Sequence, residues 1–417
     1  MVCHSDLTMI SLHSATQPPP AAARVRPGSS GKSGSKASEC ILVLQGGGAL
    51  GAYQAGVFES LSQACHEPVW VAGISIGAIN AALISGNPAH ARVAKLREFW
   101  ELVSSSQPPL VPAGFLNPLN PLNSLNPLNS REAVNESSAT QAMLFGVPGF
   151  FKPRFPAAPF QVPGSAGAIS YYDTEPLRQT LEQLVDFDLI NSGAVRLSVG
   201  AVNVRSGNFV YFDSARQRID VRHIMASGAL PPGFAPVEID GEYYWDGGIV
   251  SNTPLQYVLD QPGKRPEVVF QVDLFAASGA LPTTLAEVME REKDIRFSSR
   301  TRLNTTNELD RQMIAMAAQR LVAKLPPGLR DDPDVLALSR MHCDSALDVV
   351  HLIYRDKHYE GQSKDYEFSR LSMTEHWDAG RADMTHTLHD PRWTQHERNA
   401  TGVHVFDLTV KTPLMPG

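Results

Sequence analysis

The hydrophobic and polar positions between residues 40 and 273 alternate short apolar runs with stretches of helical period. Residues 41–45 predict a buried strand through the continuous apolar run at 41–44, and residues 49–64 repeat apolar side chains at helical spacing. A second apolar run at 69–73 leads into a small-residue helix over 76–84. Two successive strand–turn–helix units predict a mainly parallel sheet covered by helices. The carboxyl ends of such strands meet at one edge, where ligands bind.

The same alternation continues through the second half of the chain and then becomes more helical and charged. We expect a catalytic domain over residues 40–275 and an α-rich C-terminal extension over 276–417, whose strand can join the main sheet. The predicted elements are a helix at 174–184, a hairpin of 195–204 with 208–212, a strand at 268–274, a helix at 285–324, a strand at 347–354 and a helix at 372–388.

A proline-rich insertion interrupts the regular pattern between residues 108 and 164. Residues 117–130 repeat Asn-Pro-Leu, and each proline removes a backbone donor and restricts its predecessor, so we predict irregular or polyproline-like structure there. Its flank carries exposed-looking apolar groups beside positive charge, at 143–145 and 150–154. Two interpretations stay open: a lid or lipid-contacting flap, and an ordered loop that packs its own leucines.

Composition and charge narrow the class of protein. A hydrophobic share of 43% excludes disorder throughout, and a net charge of −7 disfavours nucleic acid as a partner. Residues 1–39 lack the apolar stretch of a signal peptide and predict a disordered tail, and no run is long enough for a transmembrane helix. The four cysteines lie far apart without metal-site spacing. We therefore expect a cytoplasmic protein with reduced thiols.

The first motif follows the first strand and opens the first helix. Gly46, Gly47, Gly48 and Gly51 satisfy the pattern GxGxxG, which taken alone suggests a dinucleotide site. Such a site needs an acidic residue at the end of the second strand to hold the ribose, and Ser75 stands there instead. A nucleotide is therefore disfavoured.

The second motif is Gly73-Ile74-Ser75-Ile76-Gly77, a GxSxG sequence at a strand-to-helix turn. In this context the pattern predicts a nucleophile elbow, because glycines on both sides permit the sharp turn that exposes the serine oxygen. The helix N-terminus at Ser75 also favours developing negative charge. The structural alternative is a glycine-rich turn used only for close packing.

The third motif, Asp246-Gly247-Gly248, follows a strand-like run of aromatic residues. Asp-Gly is common in ordinary turns, so the motif is weak alone. A serine nucleophile, however, has to lose a proton, and a fixed carboxylate within hydrogen-bond reach can take it. The motif therefore gains meaning beside Ser75.

Taken together and in this order, the motifs resemble those of patatin-like phospholipases and acyl hydrolases. The run 225–237 and the sequence Ser251-Asn252-Thr253-Pro254 extend the likeness, which covers about residues 40–275. The C-terminal part is similar to the extension of one bacterial subgroup of that family.

The resemblance implies an α/β three-layer sandwich with a mainly parallel sheet, and a Ser-Asp dyad of Ser75 as nucleophile and Asp246 as base. It implies neither metal nor organic cofactor. An oxyanion hole would be formed by Gly46, Gly47 and Gly48, and the supporting motif glycines would be Gly51, Gly73, Gly77, Gly247 and Gly248.

The expected function is hydrolysis of lipid carboxylic esters, with a phospholipid or other acyl ester as substrate and peripheral contact with a lipid surface. Thioesters and storage polyesters are alternative substrates, and an inactive lipid-binding or scaffold protein is the alternative class. Oligomeric state stays open. A Ser-His-Asp triad would draw its base from His342, His351, His358 or His404, none of which lies in a recognisable glycine-supported turn.

Overall fold

The protein is represented by a computed structural model that describes residues 38–105, 127–165, 167–261, 268–339, 347–355, 360–396 and 403–409. The strands are β1 (Ser38–Leu44), β2 (His66–Gly73), β3 (Lys152–Pro153), β4 (Tyr172–Asp173), β5 (Arg196–Asn203), β6 (Phe209–Asp213), β7 (Val237–Ile239), β8 (Glu242–Asp246), β9 (Val268–Asp273), β10 (Leu347–Ile353) and β11 (Val403–Asp407). The helices are α1 (Gly51–Gln63), α2 (Ile76–Ser85), α3 (Arg92–Val103), α4 (Pro127–Phe145), α5 (Glu175–Leu184), α6 (Phe187–Asn191), α7 (Val221–Ser227), α8 (Leu255–Leu259), α9 (Leu285–Val322), α10 (Pro333–Ser339), α11 (Arg370–His389) and α12 (Pro391–Thr394).

A nine-stranded mixed sheet organises the described part of the chain. Its order is β11-β10-β9-β1-β2-β5-β8-β7, and β6 pairs separately with β5. The strands from β11 to β5 are parallel, whereas β6, β7 and β8 run antiparallel to their neighbours. The predicted mainly parallel sheet is confirmed, and the strand predicted at 347–354 joins it beside β9.

The central strands are buried on both faces. In β1, Leu42 and Leu44 belong to the larger apolar core with α1, α2 and α11, whereas Ile41 and Val43 face a smaller core with α8. Successive side chains of a strand point to opposite faces, so this split places helices on both sides of the sheet. The structure is therefore the three-layer α/β sandwich that the sequence predicts.

The C-terminal helix α11 packs closely on α1, which directly follows the glycine loop. A β-carbon at Gly56 would overlap the carbonyl oxygen of Trp377, and one at Gly380 would overlap that of Tyr53. The Tyr53 hydroxyl also donates to Asp383 over 2.8 Å. Residues from the predicted extension thus contribute to the main core.

The insertion differs in part from the sequence prediction. The end of the Asn-Pro-Leu repeat begins α4, because Pro127 occupies the first helical position, where its missing N–H costs nothing. The repeat at 117–126 lies outside the described residues. Phe150 and Phe151, which looked exposed, are buried, whereas Met143 and its two successors are exposed as expected.

Elsewhere the predicted elements are confirmed within a few residues, including the hairpin formed by β5 and β6. The first strand starts at Ser38, so the last two residues of the predicted tail lie in β1, while residues 1–37 lie outside the described residues. The edge strand β11 had no prediction. None of the described helices combines the length and apolar character needed to cross a bilayer.

Candidate active site

The GxSxG sequence forms a sharp turn between β2 and α2. Ser75 has φ 57° and ψ −124°, a left-handed backbone conformation that costs a non-glycine residue about 1–3 kcal/mol. A β-carbon at Gly73 would overlap the carbonyl of Gly77, and one at Gly77 would overlap the carbonyl of Leu44. Both flanking glycines are therefore required by the close packing of this turn.

Sheet register brings the serine turn and the aspartate together. On β5, Val199 pairs with Gly73 at the end of β2, and Ala201 pairs with Asp246 at the end of β8. Because the two pairings lie two residues apart on one strand, the chain that leaves β2 meets the end of β8. Ser75 thereby lies close enough to the Asp246 carboxylate for its side chain to lower the pKa of that group.

Asp246 is almost fully enclosed, with 1% of its surface exposed. Burial raises its pKa from the ordinary 3.8 to about 7, although the hydrogen bonds from Ser75 and the Gly248 N–H act in the opposite direction. The Gly248 N–H lies 2.7 Å from the carboxylate. Close to neutral pH this group can therefore both accept and return a proton.

The glycine loop after β1 faces the same point. The Gly46 N–H donates to the carbonyl of Asn252 over 3.2 Å, and the Asn252 side-chain amide donates back to the Gly46 carbonyl over 2.9 Å. Among the described residues no acceptor takes the N–H of Gly47 or Gly48. The loop thus leaves two backbone donors available, and Gly46 serves as an attachment point.

The far side of this loop is held by the C-terminal part of the chain. Ala49 donates its N–H to the carbonyl of Asp365 over 2.8 Å. Gly48 has φ +54°, and a β-carbon there would overlap the same carbonyl. A side chain at this position would therefore push the loop away from the segment that supports it.

A cavity of about 330 Å³ opens directly onto Ser75, Asp246 and the three loop glycines. Its remaining wall is mainly apolar and aromatic, as expected for a site that receives a hydrocarbon chain. The apolar wall comprises Ile76, Ile79, Ala142, Met143, Phe150, Phe151, Tyr172, Leu230, Pro231, Pro232, Phe234, Phe275, Phe297 and Phe368.

Two family profiles match parts of this chain. A family profile described as patatin-like phospholipase matches residues 42–259, slightly more than half of the 417 residues. The chain belongs to the patatin-like phospholipase family. A second profile, described as patatin phospholipase, matches residues 295–400 in the C-terminal part. No curated protein matches the sequence.

Several solved structures share a distant likeness with this chain. VipD from Legionella pneumophila is 15% identical with a TM-score of 0.31, and the match covers 83% of this chain and 67% of that one. The heterodimeric ExoU-SpcU complex of the Pseudomonas aeruginosa type III secretion system is 15% identical with a TM-score of 0.29. That match covers 86% of this chain and 78% of the other. Human GIVD cytosolic phospholipase A2 is 12% identical with a TM-score of 0.29. That match covers 57% of this chain and 43% of the human chain, so this chain spans less than half of it.

Within this patatin-like site, Ser227 holds the Ser75 turn through hydrogen bonds. Its hydroxyl accepts the Ser75 N–H over 3.1 Å and donates to the carbonyl of Gly200 over 2.6 Å. Ser227 ends α7 and is fully buried. Sequence reasoning missed this supporting role, because a contact between residues 152 positions apart leaves no local pattern.

Two buried amides also escaped sequence reasoning. Besides Asn252, the side-chain oxygen of Gln45 accepts the N–H groups of Leu274 and Phe275, and its nitrogen donates to Thr253 over 3.1 Å. These bonds tie the glycine loop of the patatin-like site to the segment that follows β9. Adjacent sequence offered one signal, since Gln45 is a polar residue at the end of an otherwise apolar strand.

The described histidines do not complete a triad. None of them lines the cavity, and His223 instead forms a capping box with Asp220 at the start of α7. His351 lies on β10 and His404 on β11, four and five strands from β5 in the sheet. His342 and His358 lie outside the described residues. Asp246 is therefore the carboxylate that lines the cavity together with Ser75 and the loop glycines, and no described histidine joins them.

Proposed function

We propose that this patatin-like protein hydrolyses lipid carboxylic esters, with Ser75 as nucleophile and Asp246 as its base. One observation carries the proposal: Ser75, on its strained turn, and the buried Asp246 carboxylate, whose pKa is raised to about 7, line the same largely apolar cavity. Family membership supports a lipid ester as the substrate. The cavity wall suits the acyl chain of a phospholipid.

The reaction begins when the Ser75 oxygen attacks the ester carbonyl carbon and Asp246 takes the hydroxyl proton. The carbonyl oxygen gains negative charge and accepts the N–H groups of Gly47 and Gly48, while the α2 N-terminus favours the same charge. The bond between the carbonyl carbon and the alkoxy oxygen then breaks, and Asp246 returns its proton to that oxygen, which leaves as the alcohol. Water, activated by the same carboxylate, releases the acyl group from Ser75.

A fluorophosphonate ester probe tests the assignment, because it reacts only with an activated serine. We expect labelling of the wild-type protein, none of Ser75→Ala, and labelling of Asp246→Asn slowed roughly 10²–10⁴-fold. Ser227→Ala, the matched serine control, should still be labelled. Equal labelling of wild type and Ser75→Ala would refute the nucleophile, and a wild type that never labels would leave the inactive lipid-binding protein as the explanation.

A further inference from the structure

The loop between β3 and β4 leaves the cavity wall and returns to it. Phe151 and Tyr172 both line the cavity, with ring centroids 4.8 Å apart, and the chain between them forms an excursion closed by the β3–β4 pairing. The Tyr172 N–H donates to the carbonyl of Gly233, another cavity residue, over 2.9 Å. This excursion therefore lies beside the entrance to the candidate active site.

Its tip exposes large apolar side chains. Phe155 is 98% exposed, Phe160 81% and Val162 75%, while Leu144 and Phe145 are exposed at the adjoining end of α4. We refer to these five residues as the apolar rim. The Tyr172 hydroxyl donates to the carbonyl of Met143 over 2.8 Å, which connects the end of α4 to the excursion. A cluster of this kind marks a surface that binds a partner.

The charge of the rim differs in sign from that of the whole protein. Residues 137–172 contain Lys152 and Arg154 and no acidic residue, although the chain carries a net charge of −7. Lys152 lies 3.4 Å from Asp173, whereas the Arg154 guanidinium donates to the neutral Ser170 hydroxyl over 2.9 Å. The Arg154 charge is therefore available to an anionic surface.

We propose that the apolar rim and Arg154 dock this protein on an anionic bilayer, so that a phospholipid enters the cavity past Tyr172. Phenylalanines that project separately from a loop suit the interface between headgroups and acyl chains, and basic side chains beside them attract anionic lipid. A folded protein partner would instead need a groove shaped to receive these phenylalanine side chains. The purpose of docking rests on the proposed lipid hydrolysis, but docking itself is measurable without it.

Vesicle binding of the Ser75→Ala protein separates docking from hydrolysis. We expect cosedimentation with phosphatidylcholine vesicles that contain phosphatidylglycerol, and weaker binding to phosphatidylcholine alone. In that background Phe155→Ser with Phe160→Ser should weaken binding at least about tenfold. Arg154→Gln should lower binding to the anionic vesicles and leave binding to neutral ones unchanged. Leu281→Ser, which alters a residue 88% exposed elsewhere, is the matched control and should bind normally.

Unchanged binding of the double variant would overturn the proposal, as would an equal loss in Leu281→Ser. Self-association of the wild type that the double variant abolishes, without any change in vesicle binding, would assign the rim to a second copy of the chain. A short-chain soluble ester, tested with Ser75 intact, separates the two proposals. Lost hydrolysis with normal vesicle binding refutes the enzyme alone, whereas normal hydrolysis without rim-dependent binding refutes docking alone.

Discussion

Burial of Asp246 disfavours the ionised form of this carboxylate and so lowers the stability of the folded protein at neutral pH. The carboxylate is enclosed beside Ser75, and burial outweighs its two hydrogen bonds in setting a pKa of about 7. The proposed role of Asp246 as a base requires the ionised form, which the surrounding protein disfavours. Sites tuned in this way commonly trade folding stability for activity.

The Asp246→Asn variant makes this cost measurable. Because the folded-state pKa lies above the ordinary 3.8, the stability contributed by the neutral form is fully present below about pH 4 and is lost as pH rises to about 7. The difference between the two pKa values corresponds to roughly 4 kcal/mol. We expect the variant to unfold at higher urea concentration than wild type, with a gain that grows through this window and then levels off.

The exposed Asp331 supplies the control, since its Asn variant removes a charge that is already in water. Urea unfolding of both variants across the same pH series distinguishes burial from a general charge effect. A gain for Asp246→Asn that is independent of pH would contradict this account.

Ser227 contributes at the same scale without touching substrate. Removing its hydroxyl leaves the Ser75 N–H and the Gly200 carbonyl without their partner in a buried site, at a cost of about 1–3 kcal/mol. Because these bonds hold the strained turn, we expect Ser227→Ala to lower kcat about tenfold with little change in KM. Steady-state kinetics on a soluble ester provides the measurement.

Ser85 is a matched serine on α2, buried and with no partner for its hydroxyl among the described residues. Ser85→Ala should leave both kinetic constants unchanged. Loss of kcat in both variants would mean that any buried hydroxyl in this region matters, and the positioning role of Ser227 would be withdrawn.

At the residue scale, the geometry of the serine turn was predictable because it is local in sequence. Gly73, Ser75 and Gly77 lie within five positions, and their types express the geometry of one turn. Asn252 and Ser227 act on glycines and on the serine turn only after the sheet has formed. No spacing in the sequence encodes these long-range contacts, so they were missed.

At the scale of elements, the pairing of α1 with α11 reverses a common expectation. Alanine usually stabilises a helix relative to glycine by about 1 kcal/mol. At Gly380 a β-carbon would overlap the Tyr53 carbonyl, so we expect Gly380→Ala to lower the free energy of unfolding by about 1–3 kcal/mol. Gly328 has open space around it, and its alanine variant should not destabilise. Thermal unfolding of the two variants shows whether the alanine at position 380 destabilises the protein, as the overlap predicts, or stabilises it, as helix propensity alone would.

Two elements, α4 and β11, were not predicted from the sequence, and each omission has a physical reason. In α4 the helix starts at a proline and continues through polar residues with no clear apolar stripe, so neither periodicity nor a cap marked it. The strand β11 is short and lies at the sheet edge, where hydrogen bonds to β10 form it rather than an apolar run. The buried strands β1, β2 and β9, by contrast, were recognisable in the sequence as mainly apolar runs.

At the scale of the whole molecule, the C-terminal part completes the site that the first strands begin. The Lys364 ammonium is fully buried and lies 2.7 Å from Asp294 and 3.3 Å from Glu290, both on α9. The next residue, Asp365, accepts the Ala49 N–H through its carbonyl. The glycine loop is therefore held through one peptide segment by ion pairs to a helix more than two hundred residues further along the chain.

Replacing Lys364 with Met tests this connection. The variant leaves the buried Asp294 and the partly buried Glu290 without this cation, which costs about 3–5 kcal/mol of stability. It also frees the segment that holds the glycine loop, whose N–H groups are the proposed oxyanion donors and would act most strongly in the transition state. We therefore expect kcat to fall at least about tenfold while KM changes little, measured at a temperature where circular dichroism confirms that the variant is folded.

The surface pair of Lys95 and Glu98, 2.7 Å apart, gives the control, because an exposed ion pair contributes about 0–1 kcal/mol. Lys95→Met should retain both stability and kcat. A folded Lys364→Met protein with wild-type kcat would mean that α9 stabilises the fold without positioning the glycine loop. Loss of kcat in Lys364→Met alone would support a site assembled from both ends of the chain, in which the C-terminal part sets the rate of the chemical step.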